Sequence, residues 1–273
     1  MLRLIYRTKS RALLPITLGG LPTRYPTYRL LSSHSSFRSH NMPAQLIDGK
    51  SIAQSIRTKL KEETAELKQK YSTFKPHLAI VQVGEREDSS LYVRQKARCA
   101  KEIDFEFTDC KLPDTVTQHE LLEVVNELNS NPAIHGILVQ LPLPKGINEI
   151  EITEAISPEK DVDGFHPYNI GRLSKRSCDP MFLPCTPFGI LELLTRSKVD
   201  ISGKKAVVIG RSDIVGTPIF NILTNNNATA VLCHSKTQNL PEIVKSADIV
   251  VVAIGQPDFV KGDWIKPGAL LLT

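Results

Sequence analysis

The chain has 273 residues, 41% hydrophobic and 23% charged, with 15 Gly and 18 Pro. These proportions exclude wholesale disorder, collagen and a disulfide scaffold, and the length suits two domains that each bury a core. The net charge of +5 is unevenly spread: residues 1–40 hold seven basic side chains and no acid, which leaves 27 basic and 29 acidic groups from residue 41 onward. A basic nucleic-acid-binding surface on the folded part is therefore not implied.

The leader is Arg-rich and acid-free up to Asp48, with serines at 32, 33, 35, 36 and 39. That composition predicts a mitochondrial transit peptide over residues 1–42, and a matrix location. Met42 offers an internal start for a cytosolic form. No run of 18 uncharged apolar residues occurs anywhere, so no helix of the sequence is expected to cross a bilayer. The five cysteines (99, 110, 178, 185 and 233) are odd in number and never spaced as Cys-x-x-Cys, which favours free thiols over bridges or a zinc site; no metal is expected.

Residues 50–71 have the spacing of an amphipathic helix, with Ile52, Ile56, Leu60 and Leu67 on one side. His77–Val83 reads as a buried strand ending at Gly84, and Asp88 is placed to cap a helix running to Ile103. An extended stretch from Phe105 to Lys111, a helix over 117–128 and a strand over 134–140 follow, stopped by Pro142 and Pro144. Beyond a proline-rich stretch, a helix is expected over 187–196 and strands over 205–209, 228–233 and 248–254, with helices from Thr217 and over 240–246. A further strand begins at Gly268, and the sequence stops inside it, as if cut short. Strands alternating with helices of this length predict an α/β protein with parallel sheets and crossover helices.

Four segments have the composition of working sites. In Val208–Gly216 a strand ends at Gly210 and passes through a polar loop (Arg211, Ser212) to Gly216 and a helix start, an arrangement that brings backbone N–H groups to an anion. The Gly-x5-Gly spacing also fits a plain turn. The next strand ends in His234-Ser235-Lys236-Thr237, without the acid that would hold the ribose hydroxyls of NAD, so the hydroxyl of Ser235 and the cation of Arg211 suit the 2′-phosphate of NADP. Tyr92 and Lys96 are four apart on one helix face, so a ring that stacks on a flat heterocycle would stand one turn from an amine; the same spacing fits a surface tyrosine above a solvated lysine. Gln140 ends an apolar strand, where parallel sheets form binding crevices, or merely terminates it. Asp161-Val-Asp163-Gly164 is too short for a calcium loop and reads as a turn with one aspartate free for a ligand ring. Cys185 has no local basic partner, which favours a structural thiol.

These segments, in this order, resemble the bifunctional methylenetetrahydrofolate dehydrogenase/methenyltetrahydrofolate cyclohydrolase family. The matching pieces are Asp88-Ser-x-x-Tyr-Val-x-x-Lys96, Gly136–Pro144, Lys160–His166 with Asn169 and Gly171, Pro184-Cys-Thr-Pro-x-Gly189, and Gly210-Arg-Ser-x-Ile-Val-Gly-x-Pro218. The resemblance implies a folate-binding catalytic domain over 43–186, and an NADP-binding Rossmann-type domain over 187–273 that is incomplete at its end. It implies Lys96 as the catalytic lysine, Tyr92 stacking on folate, Gln140 orienting Lys96 and tuning its protonation, and Asp163 holding the pterin edge. Arg211 and Ser235 would bind the 2′-phosphate, the backbone around Gly210, Ser212 and Gly216 the pyrophosphate, and the protein would be a homodimer. The chain departs from the family at Arg98 and at Asp104, where Lys and Gly are usual, and at its end, where members continue past Leu272 with a Pro-Gly-Gly-Val-Gly-Pro motif and a returning helix. Other readings are a truncated product that binds NADP weakly or not at all, and a different NADP-dependent reductase.

Overall fold

A computed structural model describes residues 44–273; the expected transit peptide and the Met42 start lie outside the described residues. The chain begins with α1 (Gly49–Lys70), capped by the Asp48 carboxylate, which accepts from the Ser51 N–H at 2.9 Å. β1 (His77–Val83), α2 (Glu87–Glu102), β2 (Glu106–Leu112), α3 (Gln118–Ser130) and β3 (Gly136–Val139) follow. They form a three-stranded parallel sheet in the order β2-β1-β3. Because successive strand residues face opposite ways, Leu78, Ile80 and Leu138 pack under α1 and α2 while Ala79, Val81, Ile137 and Val139 pack on α3. An isolated parallel bridge from Ile137 to Asp161 then lays the Lys160–Val162 segment along the free edge of β3.

The second sheet contains β4 (Lys205–Ile209), β5 (Thr229–Cys233), β6 (Ile249–Val252) and β7 (Leu270–Leu272), all parallel, in the order β5-β4-β6-β7. Helices α6 (Cys185–Arg196) and α7 (Gly216–Asn225) cover the face carrying Val208 and Val251 through Leu194, Ile219 and Leu223. Helix α8 (Leu240–Lys245) covers the other face, where Val207 and Val250 meet Val244. Every strand expected from the sequence is present. Two short helices were not foreseen, α4 (Glu149–Ala155) and α5 (Pro167–Leu173), nor was the 3-10 turn Gly262–Trp264.

Asp88 does not cap α2. The helix starts two residues earlier than that cap would set it, at Glu87, its N-cap Arg86 supplies no side-chain bond, and Asp88 instead pairs with Arg86, whose Nη2 donates to it at 2.7 Å. The Arg86 guanidinium holds the Asp88 carboxyl down at about 2. Asp104, where the family usually has Gly, takes φ +60, a conformation that glycine adopts freely and aspartate tolerates. Lys68 Nζ donates to the Asp104 carbonyl at 2.8 Å and to its carboxylate at 2.6 Å, which fastens the turn from outside.

Candidate active site

Tyr92 and Lys96 stand one turn apart on α2 and both line a largely apolar cleft of about 830 Å³. Its walls include Ile52 and Ile56 of α1, Val162, Cys185 and Phe188 of α6, and Ala253 beyond β6, so both sheets contribute. Tyr92 is 57% exposed, as a ring kept for a ligand would be. Lys96 Nζ donates to Gln140 Oε1 at 3.0 Å. The Gln140 amide is held in that sense because its Nε2 donates to the Leu141 carbonyl at 2.8 Å, leaving Oε1 as the acceptor. Gln140 is in turn fixed by its backbone N–H, which donates to the Val81 carbonyl at 2.8 Å and continues the β1–β3 ladder. The end of β3 thus presents an oxygen to a helix that follows β1, 44 residues away in sequence.

The two aspartates of the Asp-Val-Asp-Gly turn have different tasks. Asp161 is 1% exposed, and its carboxylate accepts from the N–H groups of Gly164 (2.9 Å), Phe165 (3.3 Å) and His166 (2.9 Å) and from Asn169 Nδ2 (2.9 Å). Asp163 is half-buried, and its Oδ1 accepts from Cys185 Sγ at 3.7 Å, the thiol also lying 3.4 Å from the Val162 carbonyl. Burial pushes the Asp163 carboxyl up to about 6; the charge of Lys96 opposes the rise and that of Asp161 adds to it. Cys185 keeps surface at the cleft, and desolvation, with the charge of Asp163 adding to it, pushes its thiol up to about 11, which makes it a poor nucleophile. Gly164 closes the turn at φ +69, where a Cβ would come within 2.8 Å of the Leu183 carbonyl carbon and the Pro184 nitrogen. Lys160, from the same motif, is structural: its Nζ donates to the carbonyls of Leu128, Asn129 and Asn131 at the end of α3.

At the second sheet Gly210 has φ +112 and a Cβ there would overlap the Ala253 carbonyl oxygen, while a Cβ on Gly216 would overlap the Gly210 carbonyl. The two glycines let the loop close tightly at the point where the chain turns from β4 to β5 on one side and β6 lies on the other, which is where parallel sheets of this order bind nucleotides. Ser212 Oγ accepts from the N–H groups of Val215 and Gly216, each at 3.3 Å, so its side chain shapes the loop from within. Ile209 is paired with Cys233, and Arg211 and Ser235 each lie two residues beyond, both exposed, past the C-terminal ends of these neighbouring strands. The Ser235 turn is closed by Thr237, whose N–H donates to the His234 carbonyl at 2.9 Å and whose Oγ1 accepts from the His234 N–H at 2.8 Å.

All the site residues expected from the sequence therefore fall in two groups. Tyr92, Lys96, Gln140 and Asp163 gather around the first sheet, and Gly210, Arg211, Ser212, Gly216 and Ser235 around the second. Tyr92 and Lys96 line the cleft directly; Gln140 reaches it through Lys96 and Asp163 through Cys185. Sequence reasoning missed Asp161 and Asn169 as the internal frame of the turn, and the paired-acid pattern gave no sign of which carboxylate was buried. Among the described residues no cluster of three or more His, Cys, Asp or Glu could hold a metal ion, and no helix is long and apolar enough to cross a membrane.

Comparison with known proteins gives two family matches: the tetrahydrofolate dehydrogenase/cyclohydrolase catalytic domain over residues 47–163, and the NAD(P)-binding domain of the same family over 184–273. The mitochondrial C-1-tetrahydrofolate synthase of Schizosaccharomyces pombe is 46% identical over 247 residues, 90% of this chain and 25% of that protein, so the chain spans about a quarter of such relatives. Bifunctional protein FolD 2 of Arabidopsis thaliana is 50% identical over 234 residues, 86% of this chain and 78% of that protein. The Trypanosoma brucei methylenetetrahydrofolate dehydrogenase-cyclohydrolase, solved with NADP and an inhibitor, superimposes with a TM-score of 0.81 at 43% identity, over 84% of this chain and 78% of that one. With both sheets, the cleft and both family matches in agreement, the chain belongs to the tetrahydrofolate dehydrogenase/cyclohydrolase family.

Proposed function

We propose that the protein oxidises 5,10-methylenetetrahydrofolate to the 5,10-methenyl form with NADP and hydrolyses that product to 10-formyltetrahydrofolate. The observation that carries this reading is the Lys96–Gln140 pair beside a cleft bounded by both sheets. A nicotinamide cofactor fits the second sheet because Gly210 and Gly216 let the loop after β4 pack tightly on itself and on Ala253, which any Cβ would prevent, and so bring the start of α7 to the strand ends where a pyrophosphate would meet backbone N–H groups. In this reading Arg211 and Ser235 hold the 2′-phosphate by charge and hydroxyl, and when bound the cofactor supplies the hydride acceptor.

Tyr92 stacks on the folate and the Asp163 carboxylate accepts from the pterin N–H groups, which fixes the one-carbon bridge near the cofactor end of the cleft. Proximity and orientation carry the oxidation, since hydride loss from the bridge needs no acid. In the second step the oxygen of water bonds to the methenyl carbon, both protons leave that oxygen, one passing to N5 as the bond from carbon to N5 breaks and the other to solvent, and the carbon–oxygen double bond of the formyl group forms. Lys96 Nζ, aimed by Gln140 Oε1, is the group placed to move these protons. The test is turnover of 5,10-methylenetetrahydrofolate by the purified chain, followed by reduced nicotinamide, with NADP and NAD in parallel. Turnover with NADP supports the reading, faster turnover with NAD overturns the cofactor assignment, and none with either overturns the catalytic one.

Residues 1–42 would direct the chain to the mitochondrial matrix, supported by their composition and by a mitochondrial relative. A fluorescent reporter fused to them that stays in the cytosol would refute this. Homodimerisation belongs to the same reading, and light scattering of the purified chain tests it.

A further inference from the structure

Asp161 is a carboxylate 1% exposed, held by three backbone N–H groups and one amide rather than by a cation in any bond described above. Burying such a group is costly unless every lone pair is used, and here the bonds close a turn of only six residues. Asn169, also 1% exposed, completes the arrangement. Its Nδ2 donates to Asp161 at 2.9 Å and to the Pro158 carbonyl at 3.3 Å, while its Oδ1 accepts from the N–H groups of Met181 (2.9 Å) and Phe182 (3.3 Å). The segment so held leads into α6, which carries Cys185, the residue bonded to Asp163. One buried pair therefore ties together the turn bearing Asp163 and the chain that packs against it.

We infer that Asp161 and Asn169 are positioning residues for the folate site, fixing where the Asp163 carboxylate stands. The inference rests on the folate reading proposed above. The charged or titratable groups facing Asp163 are Lys96 from α2, Cys185 from α6 and Asp161 from its own turn. Burial and Asp161 both favour the protonated form of Asp163, and Lys96 and the Cys185 hydrogen bond favour the ionised one. Removing the Asp161 charge must then move Asp163 ionisation to lower pH. A residue that merely held the turn together would weaken binding equally at every pH.

The experiment uses the full chain and two variants, Asp161→Asn, which removes the charge, and Asn169→Ser, which removes the amide and leaves the charge. Three quantities are measured: the carboxyl titration of Asp163 by carbon NMR, assigned with Asp163→Asn; the affinity for tetrahydrofolate against pH by calorimetry; and the affinity for NADP. Expected are a roughly 10-fold or greater loss of tetrahydrofolate affinity in both variants at neutral pH, with NADP affinity within twofold. The Asp163 titration and the acid limb of folate binding should both move down in Asp161→Asn and not in Asn169→Ser. Equal losses of both ligands, unchanged folate affinity, or an Asp163 titration that stays put in Asp161→Asn would each overturn the inference. Should Asp161→Asn fail to fold, the ratio of folate to NADP loss in Asn169→Ser decides alone. An unaltered chain that binds no tetrahydrofolate refutes the folate reading itself, and the inference with it, a result distinct from a chain that binds folate normally while the variants change nothing.

Discussion

Asp163→Asn should make the folded protein more stable at pH 8 while weakening its grip on folate. The Asp163 carboxyl sits at about 6 in the folded chain against an ordinary value of 3.8. At 1.36 kcal/mol per pH unit the gap corresponds to ~3 kcal/mol, an upper figure because the side chain keeps some contact with solvent. The sign follows from proton counting. Between 3.8 and about 6 the folded state holds the proton that the unfolded state has lost, so stability falls as pH rises through that window and the full penalty applies above it. Asparagine has the same shape, cannot ionise, and still offers Oδ1 to the Cys185 thiol, so the substitution removes the penalty and little else. With a realistic gain of about 1–3 kcal/mol, the midpoint of thermal unfolding should rise by roughly 3–8 °C at pH 8, for a domain pair of this size. The gain should shrink through pH 6 and vanish near pH 4, where the wild-type carboxyl is protonated in the folded state and the two chains are alike. Thermal denaturation of both proteins from pH 4 to 8 measures this directly. A midpoint difference independent of pH, or a less stable variant at pH 8, would refute the argument that burial, outweighing the charge of Lys96, is what raises this group.

Three further outcomes follow from the site. Lys96→Met should cut hydrolysis of 5,10-methenyltetrahydrofolate by on the order of 100-fold or more while lowering hydride transfer much less, because only the second step needs a proton moved; separate assays of the two steps check it. Arg211→Ala should raise KM for NADP by roughly 10–100-fold and leave that for NAD within about twofold, since a charge-assisted contact to a 2′-phosphate is lost with the first and never made with the second. Gly210→Ala should cost on the order of 3 kcal/mol or more, as its Cβ would meet the Ala253 carbonyl at φ +112, and urea unfolding of the purified variant measures the loss.

All the strands but β2 were legible as short apolar runs that end in glycine, proline or a polar residue, which sheets buried on both faces demand; β2, at the sheet edge with Glu106, Asp109 and Lys111 exposed, read only as extended. The two missed helices are seven residues each, too short for an apolar stripe to repeat. Their signals were caps instead: Asn148 ahead of Glu149 and Glu151, and Pro167 at the first helical position after His166. Asp88 misled for a related reason. Aspartate is favoured both at the cap and in the first turn, and with Arg86 two residues before it the ion pair takes the carboxylate away from capping.

Within the site, Tyr92 and Lys96 were legible as a pair because helical spacing alone places them together, whereas the bond from Lys96 to Gln140 spans 44 residues and is set by the parallel pairing of β1 and β3. The aspartates show the limit most plainly. Asp161 and Asp163 differ by two positions in a turn, and local sequence treats them alike, yet one spends its lone pairs on four hydrogen bonds within its own turn and Asn169, and the other has only the Cys185 thiol beside the cleft. What separates them is the Ile137–Asp161 bridge, which places the first acid beside β3 under Asn169 and so leaves the second beyond the last paired residue. A long-range strand pairing, not the motif, decides which carboxylate is locked inside its own turn and which is left beside the Cys185 thiol.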